Sequence, residues 1–235
     1  MKLLGLDSSA VSASCAIVDV GDEHPSVPRT NRILAQASIN MKITHSQTLM
    51  PLVENTLKAA GLTLNDIDGF AVSNGPGSFT GLRISVSAVK GMAFAGNKPV
   101  CGVSTLLALA HNLSGRDCIA CPVMDARRGE VYNALFDISG ETITRLTEDR
   151  AISLDELGDE LAEFTEKEVV FAGDGAELAF EHFDGACSIA GEIIRWQNAA
   201  SVCFAAKNFT SPKELIPIYI RKPQAQRERE NKGGL

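Results

Sequence analysis

The feature that most constrains the fold is a segment that occurs twice: a strand, a turn centred on aspartate, and a second strand. The two copies are "KLLGLDSSAVSASCAIVD" and "CIACPVMDARRGEVYNALFD", and Asp125 stands in the second where Asp7 stands in the first. After the first copy, apolar periodicity and turn residues predict a third strand, a helix, a strand, a second helix and a further strand. The repeated opening indicates an α/β protein with two lobes of duplicated β-β-β-α-β-α topology.

The boundary between the lobes is predicted near Ser104, after the apolar strand "PVCGV". We expect an N-terminal lobe at 1–103 and a C-terminal lobe at 104–222. The helices predicted in the second lobe run over about 153–164, 175–182 and 198–209. Residues 223–235 are charged and nearly free of apolar side chains, so the sequence predicts a flexible tail there.

Two helices of the first lobe have apolar surfaces that suggest a protein partner. One covers 44–60; the other, at 78–95, follows a Gly-Pro-Gly bend and carries only Arg83 and Lys90 as charged residues. A helix that is apolar nearly all round must be covered nearly all round, either by a partner or by its own monomer. The residues predicted to form a partner or dimer surface are Leu49, Leu52, Val53, Leu57, Leu82, Val86 and Val89.

Duplicated lobes that each open with an aspartate-bearing hairpin are typical of the actin/Hsp70/sugar-kinase (ASKHA) fold, in which the two turns grip the phosphates of ATP. In the second turn, arginines replace the consecutive glycines that would let the backbone approach a phosphate, although arginine can hold an anion by charge. The segment "FAGDGAEL" matches the adenosine-binding segment only loosely. We therefore expect a partly dismantled nucleotide cleft, with a vestigial anion site formed by Asp7, Ser8, Ser9, Asp125, Arg127 and Arg128.

Other catalytic patterns are missing from the sequence. Ser78 lacks the flanking glycines of a nucleophile elbow, and no lysine follows the Gly-Pro-Gly bend as a phosphate-binding loop requires. The four histidines form no H-E-x-x-H and no close pair. The sequence thus predicts no catalytic residue, no metal and no cofactor.

Composition limits the partners. The formal charge of −7 argues against independent binding of nucleic acid, so any RNA is expected to reach the chain through a partner. No apolar run approaches the roughly 18 residues of a membrane span, and no signal peptide is apparent. Six scattered cysteines fit reduced thiols, and "CIAC" reads as part of a buried strand rather than a metal site. These features predict a cytoplasmic protein without a membrane partner.

The chain resembles the bacterial TsaB (YeaZ) family in "NGPGSFTGLRIS", "VMDARRGEVYNA", "HSQTLMPLVE" and "PIYIR". The resemblance spans nearly the full length. It implies the ASKHA fold and a non-catalytic subunit that pairs with a TsaD-like enzyme and a TsaE-like ATPase. That assembly makes N6-threonylcarbamoyladenosine at position 37 of tRNAs that read ANN codons. The same surface could serve a homodimer when the chain is alone.

TsaD-like enzymes carry an H-x-x-x-H metal pair, and the corresponding segment here, "GVSTLLALAH", places Thr105 and Leu109 at the two histidine positions. The resemblance therefore implies that both ligands are missing. Two other classes stay open: a free-standing ATP-dependent kinase of the same fold, and a glycoprotease-like metallopeptidase. The arginines of the second turn count against the first, and the missing ligands count more heavily against the second.

Overall fold

The computed structural model describes residues 1–21, 31–42, 44–127 and 129–221. The predicted tail at 223–235 and Arg128 lie outside the described residues. The first sheet contains β1 (Lys2–Asp7), β2 (Ser12–Asp19), β3 (Arg32–Asn40), β4 (Gly69–Gly75) and β5 (Val100–Ser104). Its strand order is β3-β2-β1-β4-β5, with β1, β4 and β5 parallel and the β1–β2–β3 pairs antiparallel.

The second sheet repeats this order. Its strands are β6 (Arg116–Arg127), β7 (Glu130–Asn133), β8 (Phe136–Gly140), β9 (Thr142–Arg145), β10 (Arg150–Ser153), β11 (Val169–Ala172) and β12 (Ser188–Ile189). The order β10-β7-β6-β11-β12 reproduces that of the first sheet, with β6 in the place of β1. β7 and β8 pair with β6 in one register, since Val123 faces Asn133 and Ala120 faces Phe136. The duplicated topology predicted from the sequence is confirmed.

The helices lie on both faces of the sheets. They are α1 (His45–Ala60), α2 (Phe79–Gly96), α3 (Thr105–His111), α4 (Leu154–Leu161), α5 (Ala176–His182), α6 (Glu192–Arg195) and α7 (Ala199–Ala205). Alternation along β1 explains the layering of the first lobe. Leu4 and Leu6 face the cluster that contains α1 and α2, and Leu3 faces α7 on the other side. No helix within the described residues is long and apolar enough to cross a bilayer.

The residues that follow α6 return to the first lobe. α7 contacts β1, β2 and β4, and Val100 of β5 exchanges backbone hydrogen bonds with Thr210. α3 lies between the lobes, because Ala108 packs in the cluster of the first sheet and Leu109 packs in that of the second. The division at residue 103 stays a prediction. It did not anticipate that a C-terminal segment would pack on the N-terminal sheet.

The structure corrects the residues predicted to contact a partner. Leu49, Leu52, Val53, Leu57, Leu82, Val86 and Val89 are each 8% exposed or less. Six of them pack with Leu4 and Leu6 in the core of the first lobe, and Leu82 is also fully buried. A residue that fills the core of its own lobe is not available to a partner. Any partner surface on α1 and α2 must consist of their other, exposed residues.

Candidate functional site

The two hairpin turns line a cleft of about 640 Å³ between the lobes. The first lobe contributes residues 9–11 and 76–80, and the second contributes residues 124–127, Tyr132 and Asp174. Residues 218–221 complete the lining. The cleft lies where the sequence predicts a nucleotide site. Whether the cleft can bind phosphate depends on which polar groups of each turn are free of hydrogen bonds within the protein.

The aspartate of the first turn is hydrogen-bonded within the first lobe. Asp7 is 1% exposed, and its Oδ1 accepts hydrogen bonds from the Ser9 amide at 2.8 Å and the Ser9 hydroxyl at 2.7 Å. Its second oxygen accepts from the Ser73 hydroxyl of β4. Burial raises the pKa of Asp7, although hydrogen bonds from Ser73 and Ser9 oppose the shift. Asp7 thus fastens the turn to the sheet, and it is not among the residues that line the cleft.

The Gly-Pro-Gly bend and the start of α2 are hydrogen-bonded to the first turn. The Ser78 amide donates to the Ser9 carbonyl at 2.7 Å, and the Ser8 hydroxyl donates to the Gly81 carbonyl at 2.9 Å. A side chain at Gly77 would overlap Ser9, and one at Gly81 would overlap Ser8. The glycines therefore serve a close approach of bend and turn. Of the predicted anion-site residues in this turn, only Ser9 lines the cleft.

The second turn also contains a hydrogen bond between its own residues. Asp125 is exposed in the cleft, and its Oδ1 accepts a hydrogen bond from the Arg127 amide at 2.6 Å. Arg127 adopts φ of 64°, a left-handed conformation that costs energy for a residue other than glycine. The amide that could have faced a phosphate is thereby used inside the turn. Asp125 and Arg127 line the same cleft as Ser9, and their predicted role in holding an anion stays a prediction.

The Gly-Asp-Gly segment after β11 supplies a second carboxylate to the cleft. Asp174 Oδ1 accepts a hydrogen bond from the Gln197 amide at 2.9 Å. Burial raises the pKa of Asp174 to about 6, and the negative charges of Asp125 and Asp7 add to the shift. The flanking glycines are needed for packing, because a side chain at Gly173 would overlap the Val123 carbonyl. Asp125 and Asp174 share the lining of the cleft with Arg127 and Arg221, so the cleft carries charges of both signs.

The chain is similar in sequence to known proteins over most of its length. The family model described as TsaD, tRNA N6-adenosine threonylcarbamoyltransferase, matches residues 32–228. The chain is 30% identical to the tRNA threonylcarbamoyladenosine biosynthesis protein TsaB of Escherichia coli (strain K12), covering 94% of this chain and 95% of that protein. It is 29% identical to the TsaB of Bacillus subtilis (strain 168), covering 96% of each. The chain belongs to the TsaB (YeaZ) family.

Solved structures show the same fold. YeaZ from Pseudomonas aeruginosa superposes with a TM-score of 0.72 over 93% of this chain and 99% of that one, at 22% identity. TsaD enzymes match over a shorter region. The tRNA N6-adenosine threonylcarbamoyltransferase of Brachyspira hyodysenteriae is 36% identical over 117 residues, which is 47% of this chain and 33% of that enzyme. The TsaB proteins of Escherichia coli and Bacillus subtilis match nearly the whole of this chain, whereas that enzyme is much longer.

The positions that the sequence resemblance aligns with the metal pair of TsaD-like enzymes lie in the core of this chain. Thr105 is 0% exposed and Leu109 is 1% exposed, both on α3 between the lobes. Among the described residues, no group of three or more histidine, cysteine or acidic side chains is placed to hold a metal ion. Burial lowers the pKa of nearby His111 to about 4, and the positive charge of Lys207 adds to this effect.

Sequence reasoning missed one part of the cleft. Residues 218–221 line it and connect the first lobe to the second hairpin. The signal was available in "PIYIR", which resembles the family but has no strand or helix periodicity that would reveal its position. Asp174 was noted only within a loose match to an adenosine segment. Its approach to Asp125 depends on the pairing of β11 with β6.

Proposed function

We propose that this chain is a non-catalytic subunit that pairs with a TsaD-like enzyme in the biosynthesis of N6-threonylcarbamoyladenosine in tRNA. The observation that carries the proposal is the end-to-end similarity to TsaB proteins in a chain whose two hairpin turns are closed on themselves. The TsaE-like ATPase, the ANN-decoding tRNAs and position 37 follow from the family resemblance. A cytoplasmic location likewise stays a prediction.

The chemistry of the cleft supports the non-catalytic role. A phosphoryl-transfer site needs free backbone amides, a cation or arginines aimed at the phosphates. Here the amides of Ser9, Ser78 and Arg127 donate within the protein, and the carboxylates of Asp125 and Asp174 border the space. The alternative of a free-standing kinase therefore rests on the resemblance in fold.

The exposed face of α1 and α2 is the surface that we assign to the partner. This outer face consists of Met50 and Pro51 of α1 with Thr80, Ser87, Gly91, Phe94 and Ala95 of α2. Phe94 is 51% exposed and Met50 is 46% exposed, while Gly91 has open space where a side chain would project. Small residues let another helix approach closely. A TsaD-like partner with a related lobe could present an equivalent helix pair.

Acidic character explains why the enzyme, and not this chain, should hold the tRNA. With a formal charge of −7, the chain would repel a phosphate backbone. A homodimer through the same outer face would compete with the enzyme for this chain.

The outer face can be tested at Gly91. Because its side-chain direction is open, Gly91→Arg should fold normally while placing a bulky charge in the helix contact. Gly91→Ala is the matched control, since it favours the helix and adds little bulk. We expect sedimentation with the TsaD-like enzyme to show association weakened at least tenfold by Gly91→Arg and little changed by Gly91→Ala. Unchanged association of the folded arginine variant would exclude this surface.

A further inference from the structure

Residues 215–221, here called the strap, cross from the first lobe to the second. Their first half is fixed to the first lobe. The Lys90 ammonium donates to the Leu215 carbonyl at 2.9 Å, and Leu215 is 4% exposed in the core beneath α2. The Asn74 side chain donates to the Ile216 carbonyl at 3.2 Å, and the Ile218 amide donates to the Asn74 carbonyl at 2.6 Å. The strap thereby runs beside the end of β4.

The middle of the strap rests on the first turn of α2. The Tyr219 ring lies 4.8 Å from the Phe79 ring, measured between centroids, and its hydroxyl accepts a hydrogen bond from Arg83 Nε at 2.9 Å. The Arg83 guanidinium also stacks 3.8 Å from the centre of the Phe79 ring. Gly75, at φ of 138°, lies so close to the Ile218 carbonyl that a side chain would overlap it. These contacts order the strap against both α2 and the Gly-Pro-Gly bend.

The far end of the strap reaches the second hairpin. Arg221 Nη1 donates to the Ala126 carbonyl at 3.1 Å, and Arg221 forms an ion pair with Glu130 at the start of β7. Residues 218–221 line the cleft on the way. One segment therefore joins the end of β4, the first turn of α2 and the turn between β6 and β7.

The strap also borders the outer face. Arg83 and Lys90 are seven residues apart, about two helical turns, so the strap follows one stripe of α2. Ser87 and Gly91 lie on the neighbouring exposed stripe. Ile216 is 62% exposed and Ile218 is 54% exposed. A protein docked on the outer face would meet apolar side chains of the strap next to α2.

We propose that the strap couples docking of the partner on α2 to closure of the two lobes over the cleft. The inference rests on the proposed pairing with a TsaD-like enzyme. A partner that contacts the ordered strap binds more tightly to the state in which Arg221 holds the second hairpin. By reciprocity, the same contacts make a bound partner stabilise that state.

The coupling is tested by Arg221→Ala, which removes the link to the second hairpin far from the outer face. In the free variant we expect hydrogen exchange of amides around residues 124–133 to speed up at least tenfold, and affinity for the TsaD-like enzyme to fall at least threefold. Arg195→Ala is the control, because Arg195 pairs with Glu177 within the second lobe. Glu130→Gln removes the same ion pair from its other side, should Arg221→Ala fail to fold.

A second variant separates binding of the partner from the contact between Arg221 and the second hairpin. Ile216→Ser changes an exposed side chain of the strap, so it should weaken partner binding and leave exchange of the free hairpin unchanged. Bound enzyme should slow exchange at 124–133 in the wild type but not in Arg221→Ala. Partner affinity unaffected by Arg221→Ala, or equal protection of the hairpin in both proteins, would overturn the coupling. If Gly91→Arg blocks assembly and the strap variants do not, the coupling is wrong but the proposed pairing stands. If the wild-type protein does not bind the TsaD-like enzyme, the proposed function is wrong as well.

Discussion

Single carboxylates determine what the cleft between the lobes can do. Asp7 accepts three hydrogen bonds from Ser9 and Ser73, so it is committed to holding the first turn. Asp125 accepts the Arg127 amide in the second turn. Asp174 accepts a hydrogen bond from the Gln197 side chain, and burial together with its acidic neighbours raises its pKa to about 6. The three carboxylates thus already accept hydrogen bonds from groups of the chain itself.

The raised pKa of Asp174 leads to a prediction about stability and pH. The folded state holds the proton more tightly than the unfolded state, whose aspartate has a pKa near 3.8. The stabilisation from this proton is complete below about pH 4 and is lost as pH rises through 6. Asp174→Asn is neutral throughout and keeps an oxygen facing Gln197. We expect the variant to gain up to about 3 kcal/mol relative to wild type between pH 4 and 7.5.

Urea unfolding at the two pH values checks this, with the exposed Asp159→Asn as the control that should show no comparable change. An effect of Asp174→Asn that is equal at both pH values would show that the pKa of Asp174 is not raised in the folded protein.

At the scale of elements, the strands and helices of the first lobe were predictable because each has its own periodicity. β1, β2, β4 and β5, with α1 and α2, occur where the sequence placed them. The cover of α2 was not predictable. Its apolar residues suggested a partner, but they are buried by the sheet, by α1 and by Leu215, which lies far along the chain. Local periodicity reports that a face is buried, not what buries it.

The second lobe shows the same limit. Three short strands, β9, β10 and β12, were missed because segments such as "TITR" are short and weakly apolar, and β8 was not separated from β7. They form through pairing with longer neighbours, as β8 does with β6. α3 and α6 were also missed, and they have only seven and four residues. The candidate turns were found from their aspartates, whereas their internal hydrogen bonds could be seen only in the folded chain.

Because one face of α2 lies in the core, we expect substitutions on its two faces to lower the free energy of unfolding by different amounts. Leu82 is fully buried, so Leu82→Ala should lower the free energy of unfolding by about 2–5 kcal/mol through lost burial and the cavity left behind. Ser87 is exposed, so Ser87→Ala should change it by less than about 0.5 kcal/mol. Denaturant unfolding of both variants measures the contrast. Similar, small losses at the two positions would contradict the assignment of Leu82 to the core.

Across the whole molecule, the two lobes share one duplicated topology, and the aspartate of each hairpin turn accepts hydrogen bonds from within its own lobe. α3 packs between the sheets, α7 returns to the first sheet, and the strap holds the second hairpin from the first lobe. These links make one body with an exposed helical face on its N-terminal side. This exposed helical face is the surface that we propose for the partner.

The measurement that tests this account most directly is formation of the modified nucleoside in tRNA. Threonylcarbamoyl-adenylate and tRNA, with a TsaE-like ATPase and ATP, would be incubated with this chain alone, with the TsaD-like enzyme alone, and with both. We expect no product from the chain alone and a yield with both proteins well above that of the enzyme alone. Product made by this chain alone, or a yield that the chain does not change, would contradict the account.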